Sequence, residues 1–155
     1  MKCNDCGREF SEEDYPEDER YILDGMTAYG VEICYGCLQK RVRKANENYE
    51  EIRKIASEEY EKLKECSICG KKLWITKSGI KFCKNCELFY TPLELVENEI
   101  EKKICSLLPD YENACEDLCP IGDVECPITS RNWIREDYSI HNLPKEEIET
   151  AKPLE

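Results

Sequence analysis

Twelve cysteines lie within 155 residues, and eight of them fall into four Cys-x-x-Cys pairs. Cys66/Cys69 and Cys83/Cys86 stand thirteen residues apart in CSICGKKLWITKSGIKFCKNC. Cys3/Cys6 and Cys34/Cys37 are separated by 27 residues. A two-residue gap lets both sulfurs of a pair reach one ion from a tight turn, and two pairs complete a tetrahedral set of thiolates. That donor set suits Zn²⁺, at Zn–S distances near ~2.3 Å, and metal binding contributes on the order of 10 kcal/mol to the folding of a small module. Cys3, Cys6, Cys34 and Cys37 make site 1; Cys66, Cys69, Cys83 and Cys86 make site 2. Each set is closed, with no open position for a substrate, so its role is structural.

The other four cysteines are less regular. Cys105, Cys115, Cys119 and Cys126 have gaps of nine, three and six residues. A third zinc site is one reading. An iron–sulfur cluster is another, since it also takes four thiolates, and Pro120 and Pro127 each follow a cysteine as they do at some cluster ligands. Disulfides or buried thiols are the third reading. His141, the single histidine, reads as a surface residue rather than a replacement ligand.

These residues need elements to hold them. Lys71–Thr76, a turn at Lys77-Ser78-Gly79, and Ile80–Phe82 read as a β-hairpin between the two pairs of site 2. With Cys66–Cys86 this resembles a zinc ribbon, over residues 64–90. The resemblance implies a transcription or RNA-polymerase type of setting. Cys83-Lys84-Asn85-Cys86 lacks the proline and glycine of rubredoxin iron sites. Residues 20–33 (RYILDGMTAYGVEI) also read as a hairpin, with Gly25 and Gly30 as turn residues. Beyond Cys37, apolar residues at Leu38, Val42, Ala45, Tyr49, Ile52, Ile55, Ala56, Tyr60 and Leu63 predict a long amphipathic helix over 38–65. A Cys turn, a hairpin and a second pair at a helix N-terminus resemble a treble-clef finger, over residues 1–50. Thr91, Pro92 and Glu94 signal a second helix start, and Leu93, Val96, Ile100, Ile104 and Leu107 or Leu108 give its apolar face, with Pro109 ending it. The two helices should pack antiparallel. Residues 140–155 read as a polar tail carrying a short helix begun at Pro144.

The expected fold class is therefore α+β: small metal-nucleated modules joined by two packed helices. The segments are 1–65, 66–91, a Cys-rich 92–139 and the tail 140–155. The N-terminus has no apolar leader and no run of apolar residues is long enough to span a bilayer, which predicts a cytoplasmic protein in a reducing compartment. Abundant Lys, Glu and Ile with one glutamine give a thermophile-like composition. One histidine, no Gly-rich phosphate loop and no HExxH argue against an enzyme, unless the third cluster is a redox centre.

Charge narrows the partners. The chain is net −12, yet residues 66–91 hold five lysines against one glutamate, net +4. This basic island carries Trp74, Phe82, Phe89 and Tyr90, aromatic groups able to stack on unpaired bases. Lys71, Lys72, Trp74, Lys77, Lys81 and Lys84 form the expected contact face. Loading site 2 subtracts charge, because Zn(Cys)₄ carries −2, and a polyanionic chain repels nucleic acid overall. The expected role is a non-enzymatic zinc-binding adaptor in transcription, replication or RNA metabolism, docking on a protein partner as monomer or homodimer. Direct binding of single-stranded nucleic acid and an iron–sulfur or redox role are the alternatives.

Overall fold

A computed structural model describes residues 1–121, 126–128 and 138–154. The parts of the 92–139 segment at 122–125 and 129–137 lie outside the described residues. The chain is mixed α and β and divides into two units, each made from two stretches. The first contains Met1–Glu51 and Asn98–Asp123; the second contains Ile52–Glu97 and Val124–Glu155. The consecutive segments read from the sequence do not match these units one for one, because the long helix contributes to both.

In the first unit, helix α1 spans Arg20–Thr27 and helix α2 begins at Tyr35. The expected hairpin over 20–33 is instead this helix at Arg20–Thr27 followed by a turn at 28–30 and irregular chain. Its two glycines are there for other reasons than a strand turn. Gly25 sits inside α1, where a Cβ would stand 3.1 Å from Cε2 of Tyr111. Close approach of that ring, rather than a turn, selects glycine. Gly30, at φ +75°, closes the helix C-terminus, with Val31 N–H donating to Met26 O at 3.0 Å. Ile22, Leu23 and Met26 face a core shared with Phe10, Tyr15, Ile33, Leu38, Leu108, Tyr111 and Ala114. The acidic run ahead of α1 forms two exposed 3₁₀ turns, Glu12–Asp14 and Glu17–Glu19.

Helix α2 runs Tyr35–Lys62, 28 residues and about 42 Å at ~1.5 Å per residue. Leu38, Ala45, Ile52 and Ala56 are its buried positions, while Ile55 is exposed. The second helical stretch is partly 3₁₀: Leu93–Val96, then helix α3 at Glu97–Lys103, then Cys105–Leu107. Val96, Ile100, Ile104 and Leu108 are buried at steps of four. At the helix start expected from Thr91, Pro92 and Glu94, Thr91 N–H donates to Glu94 Oε1 at 3.3 Å, one half of a capping box, while Thr91 Oγ1 is buried with no hydrogen-bond partner among the described residues. Within the first unit the antiparallel expectation holds. Asn48 Nδ2 donates to Lys103 O at 2.7 Å and Arg41 Nη1 to Leu107 O at 3.2 Å, so one chain descends as the other climbs.

The second unit is built on an antiparallel sheet of order β3-β2-β1-β4. Strands β1 (Trp74–Ile75) and β2 (Lys81–Cys83) form the expected hairpin, in register Trp74↔Phe82. Strand β3 (Leu88–Phe89) follows the last Cys turn and pairs with β2. The residues expected to form a tail do more than trail. After the helix Lys145–Glu149, strand β4 (Lys152–Pro153) pairs with β1, and Leu154 N–H donates to Leu73 O at 2.9 Å. No helix among the described residues is long and apolar enough to cross a membrane.

Candidate metal centres

Sites 1 and 2 begin with the same local device. In Cys3-Asn4-Asp5-Cys6-Gly7, Cys3 N–H donates to Arg8 O at 2.8 Å and Gly7 N–H to Cys3 O at 2.9 Å. In Cys66-Ser67-Ile68-Cys69-Gly70, Cys66 N–H donates to Lys71 O at 2.8 Å and Gly70 N–H to Cys66 O at 2.9 Å. Gly7 and Gly70 adopt φ of +73° and +74°. That left-handed geometry folds the chain back so both sulfurs of the turn face one point. Glycine after each first pair is therefore part of the site.

The second pairs are delivered differently. At site 1, Cys34 is the residue before α2, accepting its first helical bond from Leu38 N–H, and Cys37 lies in the first turn. Free N–H groups and the helix dipole favour thiolates there. Asn4 ties the first turn to the second: its N–H donates to Glu32 O at 2.7 Å, and its Oδ1 accepts from Glu32 N–H at 2.8 Å. Arg41, one helical turn past Cys37, donates to both Asp5 oxygens, with Nε to Oδ2 at 2.7 Å. That guanidinium holds the Asp5 carboxyl below its ordinary value. At site 2 the second pair sits at the end of β2 and in the turn before β3.

The sulfur spacing tests the fit to a metal. Four sulfurs at ~2.3 Å from a central ion define tetrahedral edges of about 3.8 Å, whereas a disulfide brings two sulfurs to about 2.05 Å. Cys6 and Cys34 Sγ stand 3.8 Å apart, Cys66 and Cys86 Sγ 3.8 Å, and Cys69 and Cys83 Sγ 3.5 Å. Within each set all four ligand atoms lie within 4.8 Å of one another. None of the cysteines is in a disulfide. Both sets fit one tetrahedral ion, and both join the cores around them: Cys3 and Cys34 are buried in the first, Cys66 and Cys83 in the second.

Hydrogen bonds prepare the sulfurs for the ionised state. Cys34 N–H donates to Cys3 Sγ at 3.3 Å, and Cys86 N–H to Cys83 Sγ at 3.3 Å. Cys66 Sγ receives Ile68 N–H at 3.4 Å and stands 3.2 Å from Tyr90 Oη. Burial works to raise the Cys3 thiol, but backbone N–H groups of Cys34, Cys6 and Asp5 outweigh it and bring it down to about 6. Cys66 also falls to about 6: burial is again opposed, here by Tyr90 and the N–H groups of Cys69 and Ile68. A thiol that shares its proton with ionised neighbours resists losing it. Cys37, bonded to Cys34, is pushed up to about 12, and so is Cys86, by burial and by Cys69. Metal binding must displace those protons.

The expected contact face divides. Lys71, Lys72, Lys77 and Lys84 are exposed, and Trp74 is half-buried with the Lys84 ammonium 4.0 Å over its ring. Lys81 does not belong to that face. It is 5% exposed, and its ammonium donates to the carbonyls of Tyr60, Glu61 at 3.1 Å and Leu63 at 2.7 Å. These carbonyls lie at the C-terminus of α2, where the i+4 helical N–H groups run out (Tyr60 O keeps only the turn bond from Leu63 N–H at 3.2 Å), so Lys81 is a buried cap. The aromatic platform is also largely consumed. Phe82 is fully buried, Tyr90 is buried against Cys66, and Phe89 packs on Tyr138 with centroids 5.3 Å apart.

Sequence reasoning passed over Tyr15, read Tyr60 only as part of the apolar stripe, and read Arg41 only as part of a basic cluster with Lys40, Arg43 and Lys44 beside site 1. Tyr15 is buried beside site 1, its hydroxyl donating to Ile33 O. Tyr60 Oη accepts from Lys81 N–H at 2.6 Å and donates to Tyr90 O at 3.0 Å, joining α2 to the hairpin. No spacing rule marks such long-range bonds. His141 is exposed, 3.6 Å from Glu87. Cys105, Cys115 and Cys119 lie in the first unit and Cys126 in the second; the close sets of ligand atoms among the described residues are sites 1 and 2.

No family model, curated protein or solved structure matches this chain.

Proposed function

We propose that Zn²⁺ fills both four-cysteine sets, that the first is a treble-clef-like finger and the second a zinc ribbon, and that the chain is a non-enzymatic adaptor. The observation that carries this is the closed tetrahedral spacing of the two sulfur sets, each built into a core. Zinc without redox chemistry and without an open position serves to hold a surface in shape. The surface at the second site is Lys71, Lys72, Lys77 and Lys84 on a hairpin, the basic part of an acidic chain. Its setting is transcription, replication or RNA metabolism in the cytoplasm, and its partner is an acidic protein surface.

Burial of Phe82 and Tyr90 and cover of Trp74 by Lys84 favour a protein partner over stacking on bases. A combined Lys71→Glu, Lys72→Glu, Lys77→Glu and Lys84→Glu variant tests the assignment. Zinc content should stay at wild-type level while co-purifying proteins of those machineries, identified by mass spectrometry, are lost. Unchanged capture would remove the face from the account. Fluorescence anisotropy with single-stranded DNA and RNA should show weak, salt-sensitive binding for both forms; tight wild-type binding abolished by the substitutions would favour the nucleic-acid reading instead.

A further inference from the structure

The sheet of the second unit has two edges, and residues from the 138–154 stretch cover both. At the β3 edge, Phe89 N–H donates to Tyr138 O at 2.7 Å and Leu88 bridges Ser139, with the buried Tyr138 ring packed on Phe89. At the β1 edge the cover is thinner. Strand β4 is two residues long, both exposed, with Ile75↔Lys152 and Trp74↔Pro153 as its pairs. Leu154 follows, its N–H donating to Leu73 O at 2.9 Å and its side chain packing on the core of Cys66, Leu73, Cys83 and Tyr90. A further tie lies at the surface, where Ser78 Oγ donates to Glu147 Oε2 at 3.0 Å. So a short extended segment, a leucine and an exposed hydrogen bond close this edge.

A strand edge is a row of backbone donors and acceptors that takes an extended chain with fitting side chains. The chain's own segment shows what fits β1. Pro153 has no N–H to give. Because its neighbour Leu154 makes the bond to Leu73, alternation along an antiparallel ladder turns the Pro153 nitrogen away from β1, so the missing donor costs nothing. Leu154 fills the apolar place. Lys152 fits least, because Lys71, Lys72, Lys77 and Lys84 are already exposed on this hairpin. A further cation there meets repulsion, where a carboxylate would be attracted. An outside strand with an acidic residue at that position improves on the segment it displaces.

We infer that the β1 edge is a docking site for an extended strand of a protein partner, of the form acidic residue, proline, leucine, and that Lys152–Leu154 keeps the site closed until such a strand replaces it. This deepens the adaptor reading and rests on it for the acidic partner. The exposed lysines attract that surface, and the edge supplies the backbone contacts.

The test is NMR titration of the isotope-labelled full chain with three capped peptides: the sequence of residues 149–154, the same with glutamate for its second-row lysine position 152, and the same with aspartate for its leucine. Amide shifts at residues 72–76 read binding. In a Leu154→Asp chain, whose own segment no longer holds, the first peptide should shift those amides. The glutamate peptide should bind about threefold more tightly at low salt, an advantage lost near ~1 M. The peptide without leucine should not bind. Wild type should bind the glutamate peptide at least about tenfold more weakly than the Leu154→Asp chain, because its own segment competes at high effective concentration. Unchanged zinc content and circular dichroism report that Leu154→Asp is folded. If it is not, hydrogen exchange of the wild type decides: Leu154 N–H should exchange at least about tenfold faster than Tyr90 N–H, which donates to Lys81 O at 2.9 Å. Equal protection of those two amides would overturn the inference. So would no shift at 72–76 in the opened chain, or equal affinity for the lysine and glutamate peptides. None of these readouts uses a captured partner, so a lysine face that proves idle in co-purification is a separate result that counts against the adaptor reading.

Discussion

Replacing Lys81 by methionine should weaken the second unit far more than its place among surface-type residues suggests. The ammonium is buried and donates to three carbonyls at the end of α2. Hydrogen bonds from a charged donor contribute roughly 1.5–3 kcal/mol each, and removing the ammonium takes that donor from the Glu61 and Leu63 carbonyls while Tyr60 O keeps Leu63 N–H at 3.2 Å. Against that, methionine has no charge to desolvate, and carbonyls at a helix end regain some water. The net expectation is a loss of about 2–4 kcal/mol, read as a lowered urea midpoint for zinc release and for the helical circular-dichroism signal. Lys77→Met, exposed on the same hairpin, should stay within about 0.5 kcal/mol of wild type. The pH dependence adds an independent check. Burial lowers the Lys81 pKa below 10.5, so the unfolded chain holds that proton more tightly than the folded one. Protonation therefore opposes folding, and wild-type stability relative to Lys81→Met should increase as pH rises from the folded value toward 10.5. Equal effects of the two substitutions at neutral pH would refute the cap.

Three further outcomes follow from the same geometry. Gly70→Ala should cost about 1–2 kcal/mol and weaken metal retention at site 2; nothing stands within 4 Å of the added Cβ, so the left-handed φ alone carries the cost, and an unchanged melting temperature would contradict this. Gly25→Ala should lower the melting temperature of the first unit despite alanine's ~1 kcal/mol helix preference, because the Tyr111 ring 3.1 Å away is pinned by Asp117; a stabilised variant would mean the ring gives way. Zinc affinity, measured by competition with a chromophoric chelator between pH 5 and 8, should fall with falling pH. Its slope should steepen by about one proton per site below pH 6, where Cys3 and Cys66 regain their protons, while Cys37 and Cys86 release theirs to the metal throughout.

What could be read in advance was whatever short-range chemistry determines. Cys-x-x-Cys spacing is a local constraint, and it named the eight residues that the fold gathers. The same holds for the Trp74↔Phe82 hairpin, the stripe of α2 and the helix after Pro144. Errors came where a distant group decides. Gly25 looked like a turn because the ring that requires it is 86 positions away, at Tyr111. Lys81 looked like surface charge because formal counting cannot see carbonyls converging on it. Strand β4 is two residues long, too short for periodicity, and exists because β1 offers an edge.

The central claim is that sulfur bound to metal, and not sulfur bound to sulfur, holds both units together. Elemental analysis of native protein purified without added metal tests it most directly, with thiols counted after unfolding in chelator. Native protein should contain two zinc equivalents per chain and show twelve reactive thiols once the metals are removed. A folded chain with no metal at Cys3/Cys6/Cys34/Cys37 and Cys66/Cys69/Cys83/Cys86, or with those eight thiols oxidised in pairs, would contradict it.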